Sequence, residues 1–166
     1  EPQFYRFDKP EDERFPKMIE LFSRTNYLLQ EENGLTPIHI DDSVSSLSAI
    51  LLNDAYYQAL MDGRENMRGI SVLKPEWIIP FKAKAWLDLR EKKDVDSSDI
   101  KKHRNDIIRI VSDMVLQKCI LPDEVRKDME KFIEQFDVTE SELKNLKIRG
   151  TKPEDIKRVL QTTYLD

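Results

Sequence analysis

The sequence predicts an α+β fold, with a small mixed or antiparallel sheet packed with helices and an all-helical C-terminal bundle behind it. Three observations point there. Short aromatic and apolar runs broken by Pro, Gly and Asn crowd the chain up to Ile40. Between Trp77 and Val115 the apolar residues recur at the helical period instead. Beyond Leu121, helix start signals follow one another and no strand-like run remains. The expected division is an α+β part over 1–118 and a helical tail over 119–166.

Gln3 to Phe7 (QFYRF) reads as a strand, and Pro10 and Pro16 break the polar connection after it. Lys17 to Ser23 (KMIELFS) reads as a buried strand in which Glu20 faces away from Ile19 and Leu21. Thr36 to Ile40 is a third strand, with Pro37 favouring an edge. Asp41, Asp42 and Ser43 offer N-caps for a helix running to about Met61, apolar on two faces and so packed between layers, with Gly63 as its stop. Gly69 to Leu73 is a fourth strand. Pro75 opens a helix to Arg90, in which Pro80 must sit near the start or cause a kink. A turn with Asp96 or a serine as cap leads into a second long helix, Asp99 to Leu116. Pro122 opens the next, with Val125, Met129, Phe132, Ile133 and Phe136 as its stripe, and capping boxes begin at Thr139 and Thr151.

Composition bounds the function. With 166 residues the chain has length enough for one ordinary core. Its net charge of −5 argues against generic binding to duplex nucleic acid, which needs clustered cations to release counterions, though local basic patches are compatible with it. The single cysteine, Cys119, permits no disulfide or Cys-based zinc site within one chain, and no apolar run approaches the ~20 residues needed to cross a bilayer. A cytoplasmic, reducing location is therefore expected, with no membrane association. The chain opens on Glu1 rather than Met, and the expectation is a portion of a longer protein.

Chemistry concentrates between Lys74 and Ile110. On the first of the two long helices Lys82 falls inside the apolar face made by Ile78, Phe81, Ala85, Trp86 and Leu89, whereas Lys84 points away and precedes Asp88 by four residues. On the second, His103 and Arg104 fall within the arc of Ile100, Ile107, Ile110, Val111, Met114 and Val115. A lysine on such a face needs a carboxylate, a ligand phosphate or a path to solvent, and Asp54 and Gln58 are the candidate partners. There is no GxxxxGK[ST] loop, GxGxxG turn or HExxH pair. His39 and His103 are too few for a multi-histidine metal centre, and Asp94-Val95-Asp96 is explained by capping.

MIELFSR, SSLSAILLNDAYY, GISVLKPEWIIPFKAKAWLDL and DSSDIKKHRNDIIRI together resemble the downstream half of nucleotidyltransferase-like proteins of the abortive-infection toxin type, the AbiEii/AbiGii family, over roughly Tyr5 to Val115. The resemblance implies a magnesium ion and a nucleoside triphosphate held by a Gly-Ser turn and an Asp-x-Asp strand, neither of which occurs in this sequence and both of which are expected upstream of it. It places Glu20 on the third-carboxylate strand, Lys82 or Lys84 at the helix lysine, and Asp99 or Asp106 at the later aspartate. Catalytic roles are thereby expected for Glu20 and Asp106, and nucleotide contacts for Lys82, Lys84, His103 and Arg104. The alternative is a non-catalytic helical module that binds a protein partner such as a cognate antitoxin.

Overall fold

A computed structural model describes residues 6–14, 18–24, 35–37, 48–92 and 96–166. The fold is α+β, and the chain separates into two compact units, 1–57 and 58–166. The boundary falls inside a helix at Tyr57 rather than near residue 118, so the two long central helices share a unit with the tail.

In the first unit, β1 (Arg6–Asp8) runs antiparallel to β2 (Met18–Glu20), pairing Phe7 with Ile19. A second, mixed sheet holds β3 (Phe22–Ser23), β4 (Leu35–Pro37) and β5 (Ser48–Leu51) in the order β3-β5-β4, with β5 parallel to β3 and antiparallel to β4. The helix expected to run to Met61 is therefore two elements. Its apolar first half is the central strand β5, and only Asp54–Asp62 forms the helix α1. A short continuous apolar run suits a strand flanked on both sides as well as it suits a buried helix, and pairing with two neighbours decides the matter here. The expected strand residues 3–5 and 38–40, with His39, and the caps at 41–43 lie outside the described residues.

In the second unit α1 ends at Gly63, whose amide donates to the Ala59 carbonyl at 3.0 Å. A methyl group at this position would stand 2.3 Å from Cγ and 2.4 Å from Cβ of Trp77, so only glycine lets the turn lie on that ring. β6 (Arg64–Met67) and β7 (Ile70–Leu73) then form a hairpin. Its two-residue loop is Arg68-Gly69, with φ of 54° and 87°, the left-handed pair that a tight hairpin turn requires, and Asn66 Oδ1 accepts from the Gly69 amide at 2.8 Å. The strand β6 had no signal in the alternation of apolar residues, because all four of its residues are exposed.

The helices follow as α2 (Pro75–Glu91), α3 (Ser97–Asp113), α4 (Asp123–Gln135), α5 (Glu140–Asn145) and α6 (Pro153–Tyr164). Asp96 caps α3 by accepting from Ser98 N at 2.8 Å. Thr139 and Glu142 close the expected capping box on α5. At α6 the box is one residue later than expected, with the Lys152 amide donating to Asp155 Oδ2 at 3.2 Å. Helix α2 packs on α3 and α4, and α6 on α3 and α4. The core between them is Ile79, Ala83, Ile107, Ile108, Val125, Met129, Phe132, Phe136, Ile156 and Leu160. Trp86 meets Phe132 edge-on at 5.3 Å, and Arg90 lies over the Trp86 ring at 4.2 Å.

Helix α2 continues through Pro80 without a break, and the reason lies at the other end of the unit. Proline has no N–H, so the carbonyl of Glu76, four residues earlier, loses its helical donor. The hydroxyl of Tyr164, on α6, donates to that carbonyl instead. Burial, followed by the nearby Cys119 and Glu76, pushes the Tyr164 hydroxyl well above its ordinary value of 10.0, so it remains a donor.

Candidate functional site

The face of α2 that carries Lys82 meets α3 one turn past His103. Lys82 Nζ stands 2.7 Å from Asp106 Oδ2, and the two side chains are 26% and 28% exposed. Arg109 Nη1 approaches the other oxygen of Asp106 at 3.9 Å. The partner of Lys82 is therefore Asp106, and Asp54 is engaged elsewhere, receiving Arg24 Nε at 2.7 Å within the first unit. Gln58 donates to Asp62 at 2.7 Å. Helix phase placed Lys82 correctly but carried no information about which neighbouring helix would face it.

His103 sits beside this pair with its Nδ1 buried and without a hydrogen-bond partner. Its pKa is lowered from 6.5, first by burial and then by the Lys82 ammonium, with Asp106 and Asp99 opposing and Lys102 assisting. The imidazole is thus neutral at physiological pH. Arg104 turns towards α5: its Nε and Nη2 reach the two carboxylate oxygens of Glu142 at 3.0 and 2.8 Å, Nη2 also donates to the Asp137 carbonyl, and the guanidinium lies 4.9 Å from the Phe136 ring centre. Such a two-pronged contact is the geometry for which guanidinium is built.

Lys84, on the opposite side of α2, donates to Asp88 at 2.8 Å and lies 3.8 Å from Asp128 on α4. Burial works against its charge, but the Asp88 bond and the Asp128 field outweigh it and raise its pKa. Glu20 lies on β2 opposite Arg6, in the other compact unit. Asp99, the alternative later aspartate, is in the first turn of α3, where its charge complements the helix dipole.

Lys82 and Asp106 are thus brought together, His103 is set next to them, and Lys84 and Arg104 face away to separate carboxylates. Each of the three cations expected on a triphosphate already has a carboxylate from this chain in reach. Among the described residues no group of three or more His, Cys, Asp or Glu side chains converges as metal ligands would. The described residues therefore do not fit a magnesium–triphosphate site as they stand. Also among the described residues, no helix is long and apolar enough to cross a membrane.

Sequence reasoning missed Asp128 and Glu142 as the partners of Lys84 and Arg104, and Tyr164 as the donor to the Glu76 carbonyl. Only the last had a signal, since a proline inside a helix frees a carbonyl that must find a donor. No protein family matches this sequence, and neither a curated protein nor a solved structure shows significant similarity to it.

Proposed function

We propose that this chain is a non-catalytic helical interaction module, the binding portion of a nucleotidyltransferase-like protein, whose partner is another protein such as a cognate antitoxin in the cytoplasm. The observation that carries this reading is the neutralisation of Lys82 by Asp106, of Arg104 by Glu142 and of Lys84 by Asp88. A cation committed to a carboxylate at 2.7 to 2.8 Å stabilises helix packing, and a phosphate would have to displace that carboxylate to recruit it. The segment between α3 and α4 adds support. The Cys119 amide donates to the Thr163 carbonyl at 3.1 Å and fixes the strap, while Val115 and Ile120 remain 96% and 89% exposed. Covering two such side chains contributes on the order of 1.5–3 kcal/mol each to association.

Calorimetric titration of Mg-ATP and Mg-GTP into the chain and into Lys82→Met tests the reading. It expects no difference in nucleotide affinity between the two proteins. Saturable binding that Lys82→Met weakens tenfold or more, without loss of stability, would restore Lys82, His103 and Arg104 to the nucleotide-contacting role that the family resemblance implies.

A further inference from the structure

Between the end of α5 and the start of α6 lies a groove of about 730 Å³. Lys144, Lys147, Arg149 and Lys152 line it, and they are the only charged residues in the stretch from 144 to 152. All four are exposed, and none forms an ion pair among the described residues. This contrasts with Lys82, Lys84 and Arg104, each of which is held by a carboxylate within the fold. Glu140 stands alone as the acid on the groove wall, and the hydroxyls of Ser141 and Thr151 complete its polar lining.

The loop that carries these charges is braced at both ends. Ile148 N donates to the Leu143 carbonyl at 2.9 Å and Lys147 N to the Lys144 carbonyl at 3.0 Å. At the far end the Lys152 amide is held by Asp155, which also receives Arg158 at 2.6 Å, so this carboxylate is already occupied. Lys147 and Gly150 take left-handed backbone conformations, φ 61° and 78°, which wrap the loop around the groove. Four cations without an ion pair among the described residues therefore line one concave surface, with solvent ions as their compensation. Release of those ions is what drives association with a polyanion.

We propose that this groove binds the phosphodiester backbone of single-stranded nucleic acid. Three lysines and one arginine, running from the last turn of α5 to the N-cap of α6, suit successive phosphates. No aromatic residue lines the groove to stack a base, so recognition is of the backbone and independent of sequence. A flexible strand can enter a short concavity, whereas a stiff duplex cannot follow it, and the chain's overall net charge of −5 disfavours the remaining phosphates of a duplex. The proposal goes beyond the interaction-module reading and does not depend on it, since the groove residues are separate from Lys82, Arg104, Val115 and Ile120.

Fluorescence anisotropy with a labelled single strand of about 20 nucleotides tests it, in the intact chain and in the Lys147→Gln/Arg149→Gln double variant. With four phosphates neutralised, affinity should fall about 50-fold between roughly 50 and 200 mM salt; with two, about 7-fold. The double variant should bind more weakly at the lower salt, show the shallower slope and melt at the same temperature as the parent. Four results would overturn the proposal: no binding at the lower salt, equal binding by the variant, tighter binding of a duplex than of the single strand, or displacement of the strand by inorganic triphosphate at equal phosphate concentration.

Discussion

Replacing Tyr164 by Phe removes one oxygen and keeps the ring that packs against the helices. The Glu76 carbonyl then has neither the helical donor that Pro80 denies it nor the hydroxyl that replaces that donor. Both Glu76 and Tyr164 are 4% exposed, so water does not substitute readily. Leaving a buried acceptor unpartnered costs about 1–3 kcal/mol, and at this burial we expect about 2. For a chain of this length that corresponds to a fall in Tm of roughly 4–8 °C. The decisive comparison is the same substitution in Pro80→Ala. With alanine in place of the proline, the backbone regains an N–H aimed at the Glu76 carbonyl, so Tyr164→Phe should cost only about 0.5 kcal/mol there. Urea unfolding of the parent, both single variants and the double variant measures the difference, and the cycle cancels the packing lost with the proline ring. Equal costs of Tyr164→Phe in the two backgrounds, within ~0.5 kcal/mol, would refute the coupling between proline and tyrosine.

Arg104→Met should destabilise by about 2–3 kcal/mol at neutral pH, because it leaves the half-buried Glu142 carboxylate without its fork, and Arg104→Lys should recover only part of that loss. Burial raises the Glu142 pKa, but the bonds from Arg104 and Thr139 together hold it below its ordinary 4.5. A depressed carboxylate stabilises above its unfolded value and loses that contribution as pH falls through the folded one, so the acid-side loss of stability should shrink in Arg104→Met; an unchanged acid limb would contradict the fork. Gly63→Ala should cost about 1–3 kcal/mol by forcing Trp77 from its place, and an unaltered melting curve would remove the close approach. Burial, then the Glu76 carboxylate, pushes the Cys119 thiol up to about 12, with Lys74 opposing. At about pH 8 a thiol reagent should therefore label it only as fast as the chain unfolds, and immediate labelling would show the thiol to be accessible.

Local signals were legible where one element settles its own structure. The Thr139 capping box, the cap at Asp96 and the stripe of α4 all depend on residues within a few positions, and each stands where the sequence places it. The helix α3 stops at Asp113, three residues before the expected end, and Met114 and Val115, expected on its apolar arc, are exposed. Ser48–Leu51 failed differently: its apolar residues satisfy two periodicities, and only the flanking strands β3 and β4 choose between them. For the site, the position of Lys82 on its helix was readable and its partner was not. Asp106 is one of 32 acidic residues in the chain, and interhelix register is fixed by core packing rather than by the charges themselves.

The claim on which the account turns is that Lys82 is a structural cation. Its double-mutant cycle with Asp106 tests this directly, using Lys82→Met, Asp106→Asn and the pair together in urea unfolding. At 2.7 Å and about three-quarters buried, the pair lies between an exposed salt bridge, worth about 0.2–1 kcal/mol, and a fully buried one, whose disruption costs about 3–5. Arg109, at 3.9 Å, takes up part of the Asp106 charge when Lys82 is removed. The account therefore predicts a coupling of about 1–2 kcal/mol, with Lys82→Met destabilising on its own. Additive effects, together with a Lys82→Met variant at least as stable as the parent, would contradict it and mark Lys82 as a residue held in place for a ligand.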